Sequence, residues 1–193
     1  MKTHTTPILA LAAAAGALLM SGCSTPAHYV DSKGPATLVS LNQINIQDFY
    51  QAADDLVAGI LASGVLERAP AQPAVLLVSR IINNTQTNFD MSLLSEKVSG
   101  ALLNTGKIVV LNDTDAKAES QRQMNEFLGK GAARPKPYYS LSGKIIEDKA
   151  SAGRTKQTSY VFQLSLTLVD DGIQAWKGEK TITKQGTRSA IGW

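Results

Sequence analysis

The chain has 193 residues, 44% of them apolar, and 19 Lys and Arg against 16 Asp and Glu give it a formal net charge of +3. That length suits one domain with appended segments, and the apolar fraction is ample for a core. The basic residues form no run, which argues against nucleic acid as a partner, and a single cysteine excludes an internal disulfide.

Lys2 opens the chain, Ile8 through Met20 is almost entirely Ala, Leu and Gly, and the small residues Ser21 and Gly22 precede Cys23. This is the pattern of a secretory signal peptide over residues 1–22. Its apolar stretch of about 13 residues falls short of the roughly 18 to 20 that cross a bilayer. The stretch "LMSGC" is similar to the lipobox of bacterial lipoproteins, in which the cysteine receives a thioether-linked diacylglycerol, the signal is cut before it, and the new amino group is acylated. Met20 stands where that motif usually has Leu, with Leu19 one place further back. Lipidation of Cys23 is therefore expected. Each buried methylene contributes about 0.8 kcal/mol, so two or more acyl chains anchor firmly. Ser24, rather than Asp, follows the cysteine, which by the same resemblance implies sorting to the outer membrane with the remaining chain in the periplasm. No stretch after residue 23 is long enough to cross a membrane.

Residues 23–44 carry Pro26, Gly34 and Pro35 and show no sustained period, so they read as a lipidated terminus and flexible tether, with "TLVSL" a candidate short strand. About 21 tether residues reach at most about 75 Å. A globular domain is expected over residues 45–185. From Asn45, Phe49, Ala53, Leu56, Val57 and Ile60 form one helical stripe that Gly64 ends. "AVLLVSRII", residues 74–82, is a run rich in β-branched residues and Leu after Pro70 and Pro73 that predicts a central strand. Met91, Leu94, Val98, Ala101 and Leu102 mark a second helix closed by Gly106, "KIVVLN" another strand, and 115–128 a more polar helix. "YYSLSGKIIED" predicts a strand over residues 138–148. Further on, Phe162, Leu164, Leu166 and Leu168 alternate with Gln163, Ser165 and Thr167, a strand with one wet face. Asp170-Asp171-Gly172 is a turn signal, and "IQAWKGEKTIT" returns as the partner strand. The expected fold is α/β, a two-layer sandwich of a four- to five-stranded mixed sheet with helices on one face. Residues 186–193 read as a C-terminal tail.

Without residues 1–22, the one remaining histidine is His28, in the tether, and the one cysteine is the lipidation site. Cys-His and Ser-His-Asp catalysis and an ordinary zinc site are thereby excluded from the domain. No Ser is followed three residues later by Lys, and "FLGKGAARPK" lacks the order of a phosphate loop. The pairs Asp54-Asp55 and Asp170-Asp171 are adjacent residues of a helix and of a turn, not a facing acid and base. A non-enzymatic domain without metal or cofactor is expected.

The order of helix, "AVLLVSRIINNTQTNFDMSLLSEKVSGALLNTGKIVVLN", polar helix, "YYSLSGKIIED" and "FQLSLTLVDDGIQAWKGE", with the lipobox, resembles the LpoB family of outer-membrane lipoproteins that activate class A penicillin-binding proteins. The resemblance covers about residues 45–185. It implies a regulator that reaches through the peptidoglycan, docks on a small periplasmic domain of the inner-membrane synthase and stimulates polymerisation and crosslinking; a monomer is expected. Enterobacterial members have a long Pro-rich tether where this chain has a short one.

Candidate contact residues are Asn83, Asn84 and Thr85 in the loop "INNTQTN", although Asn and Thr there also suit turn and cap hydrogen bonds. The cations Lys144, Lys149, Arg154, Lys156, Lys177 and Lys180 gather in the last three strands, where clustered charge steers acidic partners; Lys144, Lys177 and Lys180 are the candidates among them. Trp176 suits a half-buried strand position or a binding anchor. The alternative function is that of a structural or secretion-related outer-membrane lipoprotein; a lipid-facing band of strands is opposed by the outward Gln163, Ser165 and Thr167.

Overall fold

The computed structural model describes residues 27–32, 34, 35, 37–111, 116–129 and 135–187. The expected signal peptide, Cys23 and residues 188–193 lie outside them. The chain divides at Thr37 into two units. In the first, Gly34 N–H donates to the Asp31 carbonyl at 2.9 Å and Thr37 Oγ1 to the Gly34 carbonyl at 2.5 Å.

The second unit starts at Leu38. Asn45 caps helix α1 (Ile46–Ala62), its backbone N–H donating to Asp48 Oδ2 at 2.7 Å so that the third helical residue reaches back to the cap. The expected stripe of Phe49, Ala53, Leu56, Val57 and Ile60 is buried, together with Ala52. Gly64 ends the helix with φ +63°, a conformation glycine adopts at little cost. After a short 3₁₀ turn (Leu66–Arg68) come β1 (Ala74–Asn84), α2 (Ser92–Leu103), β2 (Ile108–Leu111), α3 (Ala116–Phe127), β3 (Tyr139–Ala152), β4 (Thr155–Leu168) and β5 (Gln174–Thr187).

The five strands lie in the order β2-β1-β3-β4-β5. β1 runs parallel to both β2 and β3, while β3–β4 and β4–β5 are antiparallel. Such a parallel pair needs a crossover, and α2 supplies it between β1 and β2. α1 packs on β5, and α2 packs on β1, β2 and α1. The mixed sheet with helices on one face is therefore the architecture that the apolar patterns predict. Residues 123–129 of α3 and its end are exposed.

Alternation builds the core. Tyr160, Phe162, Leu164 and Leu166 of β4 are buried beneath the helices, and Phe49 of α1 meets the rings of Phe162 and Phe89 edge-on at 5.9 and 5.5 Å. Tyr139 keeps its buried hydroxyl satisfied by donating to the Val65 carbonyl at 2.5 Å. Two glycines permit close approach. A Cβ on Gly143 would run into the Gln163 carbonyl and lie 2.6 Å from Leu164 Cδ2, and one on Gly178 would occupy the place of the Trp176 indole. Trp176 is thus a half-buried packing residue against α1, as its strand position suggests.

Two sequence expectations shift at the ends of this unit. Thr37–Leu41 forms no strand, because its backbone finds no ladder partner in the sheet. Instead the Lys184 ammonium of β5 donates to the Asp48 carboxylate, to Asn45 Oδ1 at 2.6 Å and to the carbonyls of Gln43 and Ser40 at 2.9 and 3.3 Å. The side chains of Lys184 and Asp48 are only 7% and 8% exposed. Residues 40–45 are thereby clipped to β5, and Leu41 lies against Gly186. At the other end Gly186 and Thr187 pair with Lys156 and Thr155 as the last residues of β5.

Candidate partner-binding surface

Strand parity divides the cations between two faces. On β5, Trp176, Lys180, Ile182 and Lys184 share the helix-covered face, whereas Lys177, Glu179 and Thr181 share the open one. Lys180 is bonded to Asp55 of α1 at 2.5 Å. Of the three predicted lysines, the structure therefore brings together Lys144 and Lys177 and places Lys180 on the opposite side.

A β-bulge completes the open face. Val78 pairs with Leu141 and Ile81 with Gly143, so Ser79 and Arg80 together oppose the single residue Ser142. The extra residue changes the strand's phase, burying Ile81 and turning Arg80 to the open face. One row across four strands then reads Arg80, Ser142, Ser165, Lys177, and the next reads Ile82, Lys144, Gln163, Glu179. Arg80, Lys144 and Lys177 border a shallow cleft of about 280 Å³ floored by Ser142, Ser165 and Gln163. The floor is internally bonded. The Ser142 and Ser165 hydroxyls lie 3.2 Å apart, Ser79 and Ser140 are 2.7 Å apart, and Gln163 Nε2 donates to Glu179 Oε2 at 2.9 Å. Arg80, Lys144 and Lys177 are exposed and have no carboxylate partner among the described residues.

The loop after β1 is built differently. Asn83 Nδ2 donates to the Thr87 carbonyl at 2.9 Å, and Asn83 Oδ1 accepts from Thr85 N–H at 3.0 Å and from Thr85 Oγ1 at 2.8 Å. Gln86 N–H donates to Glu147 Oε2 at 2.7 Å, while Lys149 Nζ reaches Gln86 Oε1 at 2.8 Å and Glu147 at 2.7 Å. Asn83 and Thr85 are thus occupied in holding the turn, and Asn84 is exposed beside them. The Glu147 side chain is only 4% exposed. Burial pushes its pKa up, but the Lys149 ammonium and the Gln86 N–H outweigh burial and hold it below the usual carboxylate range. Nearby, burial and the carboxylates of Glu147 and Asp48 push the Tyr160 phenol up to about 12.

A family model described as peptidoglycan-synthase activator LpoB matches residues 48–182. The chain belongs to the LpoB family. Among solved structures, the LpoB C-terminal domain from Salmonella enterica is 18% identical over 70% of this chain and 98% of its own, with a TM-score of 0.44. The LpoB C-terminal domain from Escherichia coli is 18% identical over 71% and 99%, with a TM-score of 0.42, and lipoprotein GNA1162 from Neisseria meningitidis is 13% identical over 62% and 90%, at 0.36. No curated protein matches the chain.

The LpoB match takes in Arg80, Lys144 and Lys177 and the loop from Asn83 to Thr87, whereas Lys184 and residues 40–45 fall outside it. The face Arg80 takes has no signal in the sequence, because the bulge at Ser79-Arg80 falls between apolar residues that show no alternation to count. Lys180 had one: it stands two residues before Ile182 and four after Trp176, on their face of the strand. Among the described residues no cluster of three or more His, Cys, Asp or Glu is placed to hold a metal ion. What the open face offers is charge and hydrogen bonding to another surface.

Proposed function

We propose that the protein is a non-enzymatic, lipid-anchored activator that binds a class A penicillin-binding protein from the periplasmic face of the outer membrane. Membership of the peptidoglycan-synthase activator family over residues 48–182 carries this reading. The lipobox ending in Cys23 and the preceding apolar stretch support the anchor. With residues 40–45 fastened by Lys184, the chain from Cys23 to Val39 can reach at most roughly 60 Å at full extension. The partner must therefore present its docking site toward the outer membrane.

The test is glycan-chain polymerisation from lipid II by the host's class A penicillin-binding protein, with and without the full chain. Binding at or below about ten micromolar with faster polymerisation is expected. No binding and an unchanged rate would overturn the reading. For the anchor, Cys23→Ser should leave the protein in the soluble periplasmic fraction, where the wild type sediments with outer membranes.

A further inference from the structure

We infer that the open face of the sheet, centred on Arg80, Lys144 and Lys177, is the docking surface, and that it takes an acidic protein surface whose carboxylates enter the cleft between these cations. The inference rests on the activator reading for the partner's identity and on the geometry for the place.

Three observations converge. Arg80 reaches this face only because two residues of β1 oppose Ser142, and bulges of this kind re-aim a side chain at a chosen spot. The three cations are exposed without a carboxylate partner among the described residues, in contrast to Lys107, Lys136, Lys149, Lys180 and Lys184, each of which has one. Between them the floor is hydroxyl-rich, and its serines are paired across strands, so a partner meets side chains already held in place that still have hydrogen-bonding capacity to offer. Glu179 is the one carboxylate in the two central rows, and it already accepts from Gln163.

The chemistry selects the occupant. Strands are about 4.8 Å apart, so Arg80 and Lys177, at opposite ends of a four-strand row, stand roughly 14 Å from each other. That spread matches several side-chain carboxylates on one protein face and exceeds what one small anion spans. Arg80 brings a planar fork suited to a bidentate carboxylate, and the lysines bring point charges. The basic residues of the chain form no run or stripe of the kind that tracks a nucleic-acid backbone.

The experiment uses the full chain. Arg80→Glu, Lys144→Glu and Lys177→Glu, singly and together, are compared with Lys156→Glu, an equal charge change on the opposite face near the hairpin end. Circular dichroism and melting confirm that each variant folds. Affinity for the host's class A penicillin-binding protein is measured at low and high salt. Each open-face reversal should weaken binding about tenfold or more and flatten its salt dependence, while Lys156→Glu binds as wild type. Open-face variants that bind like wild type at both salts would overturn the surface and leave the activator reading standing. Should the wild type not bind the synthase, the activator reading fails, and the surface is judged by titrating the isotope-labelled chain with hexaglutamate. Amide shifts gathered at residues 80–82, 142–144, 163–165 and 177–179 support it; shifts elsewhere, none, or a stronger response to polyphosphate overturn it.

Discussion

The two faces of one sheet handle the same residue type in opposite ways. Beneath the helices, Lys180 is bonded to Asp55 and Lys184 is buried among Asp48, Asn45 and two backbone carbonyls. On the other side, Lys144 and Lys177 stand exposed beside Arg80, with no carboxylate bonded to them among the described residues. A step of one residue along a strand decides between these fates. On the covered face, Lys180 and Lys184 join elements distant in sequence, whereas the cations of the open face carry no such structural bond among the described residues.

The sharpest way to break the contrast is Lys184→Met. It leaves the Asp48 carboxylate buried and unpaired, which costs about 3–5 kcal/mol. Urea unfolding should show the lowered midpoint, and adding Asp48→Asn should recover part of it. Next comes Gly143→Ala, whose new Cβ meets the Gln163 backbone and should cost about 1–3 kcal/mol by forcing β3 and β4 apart, read by the same melts. Lys180→Ala should cost at most about 1 kcal/mol, since Asp55 is half-exposed. Lys144→Ala and Lys177→Ala should change stability by no more than about 0.5 kcal/mol, yet weaken binding to the synthase.

Glu147 gives the contrast a pH dependence. Its folded pKa is held below the ordinary 4.5, so the unfolded chain binds the proton first. The stability it contributes is present above about pH 4.5 and is lost as pH falls through the lowered folded value. Urea midpoints of wild type and Glu147→Gln should therefore converge on acidification, and a constant offset would contradict the assignment.

The sequence carried the layers because the layers are periodic. Phe162, Leu164 and Leu166 declare one face of β4 by alternation, and the stripe from Phe49 to Ile60 declares the buried side of α1. Gly64, Gly106 and Gly172 mark ends and turns because each adopts a positive φ. The candidate site was half legible. Lys144 and Lys177 stand out as cations on alternating strands, but Arg80 sits at a bulge in "AVLLVSRII", where Ser79-Arg80 interrupts the apolar residues without an alternation that marks its face. The clip of Lys184 onto residues 40–45 joins parts of the chain 139 or more positions apart, a pairing that no local pattern encodes.

The most direct measurement is photo-crosslinking in the host cell, with benzoylphenylalanine placed in the lipid-anchored full chain either at Gln163, in the middle of the open face, or at Glu96 on α2. A crosslink to the class A penicillin-binding protein from position 163 and none from position 96 is predicted. Capture from position 96 with silence at 163 would contradict the division of labour between the two faces.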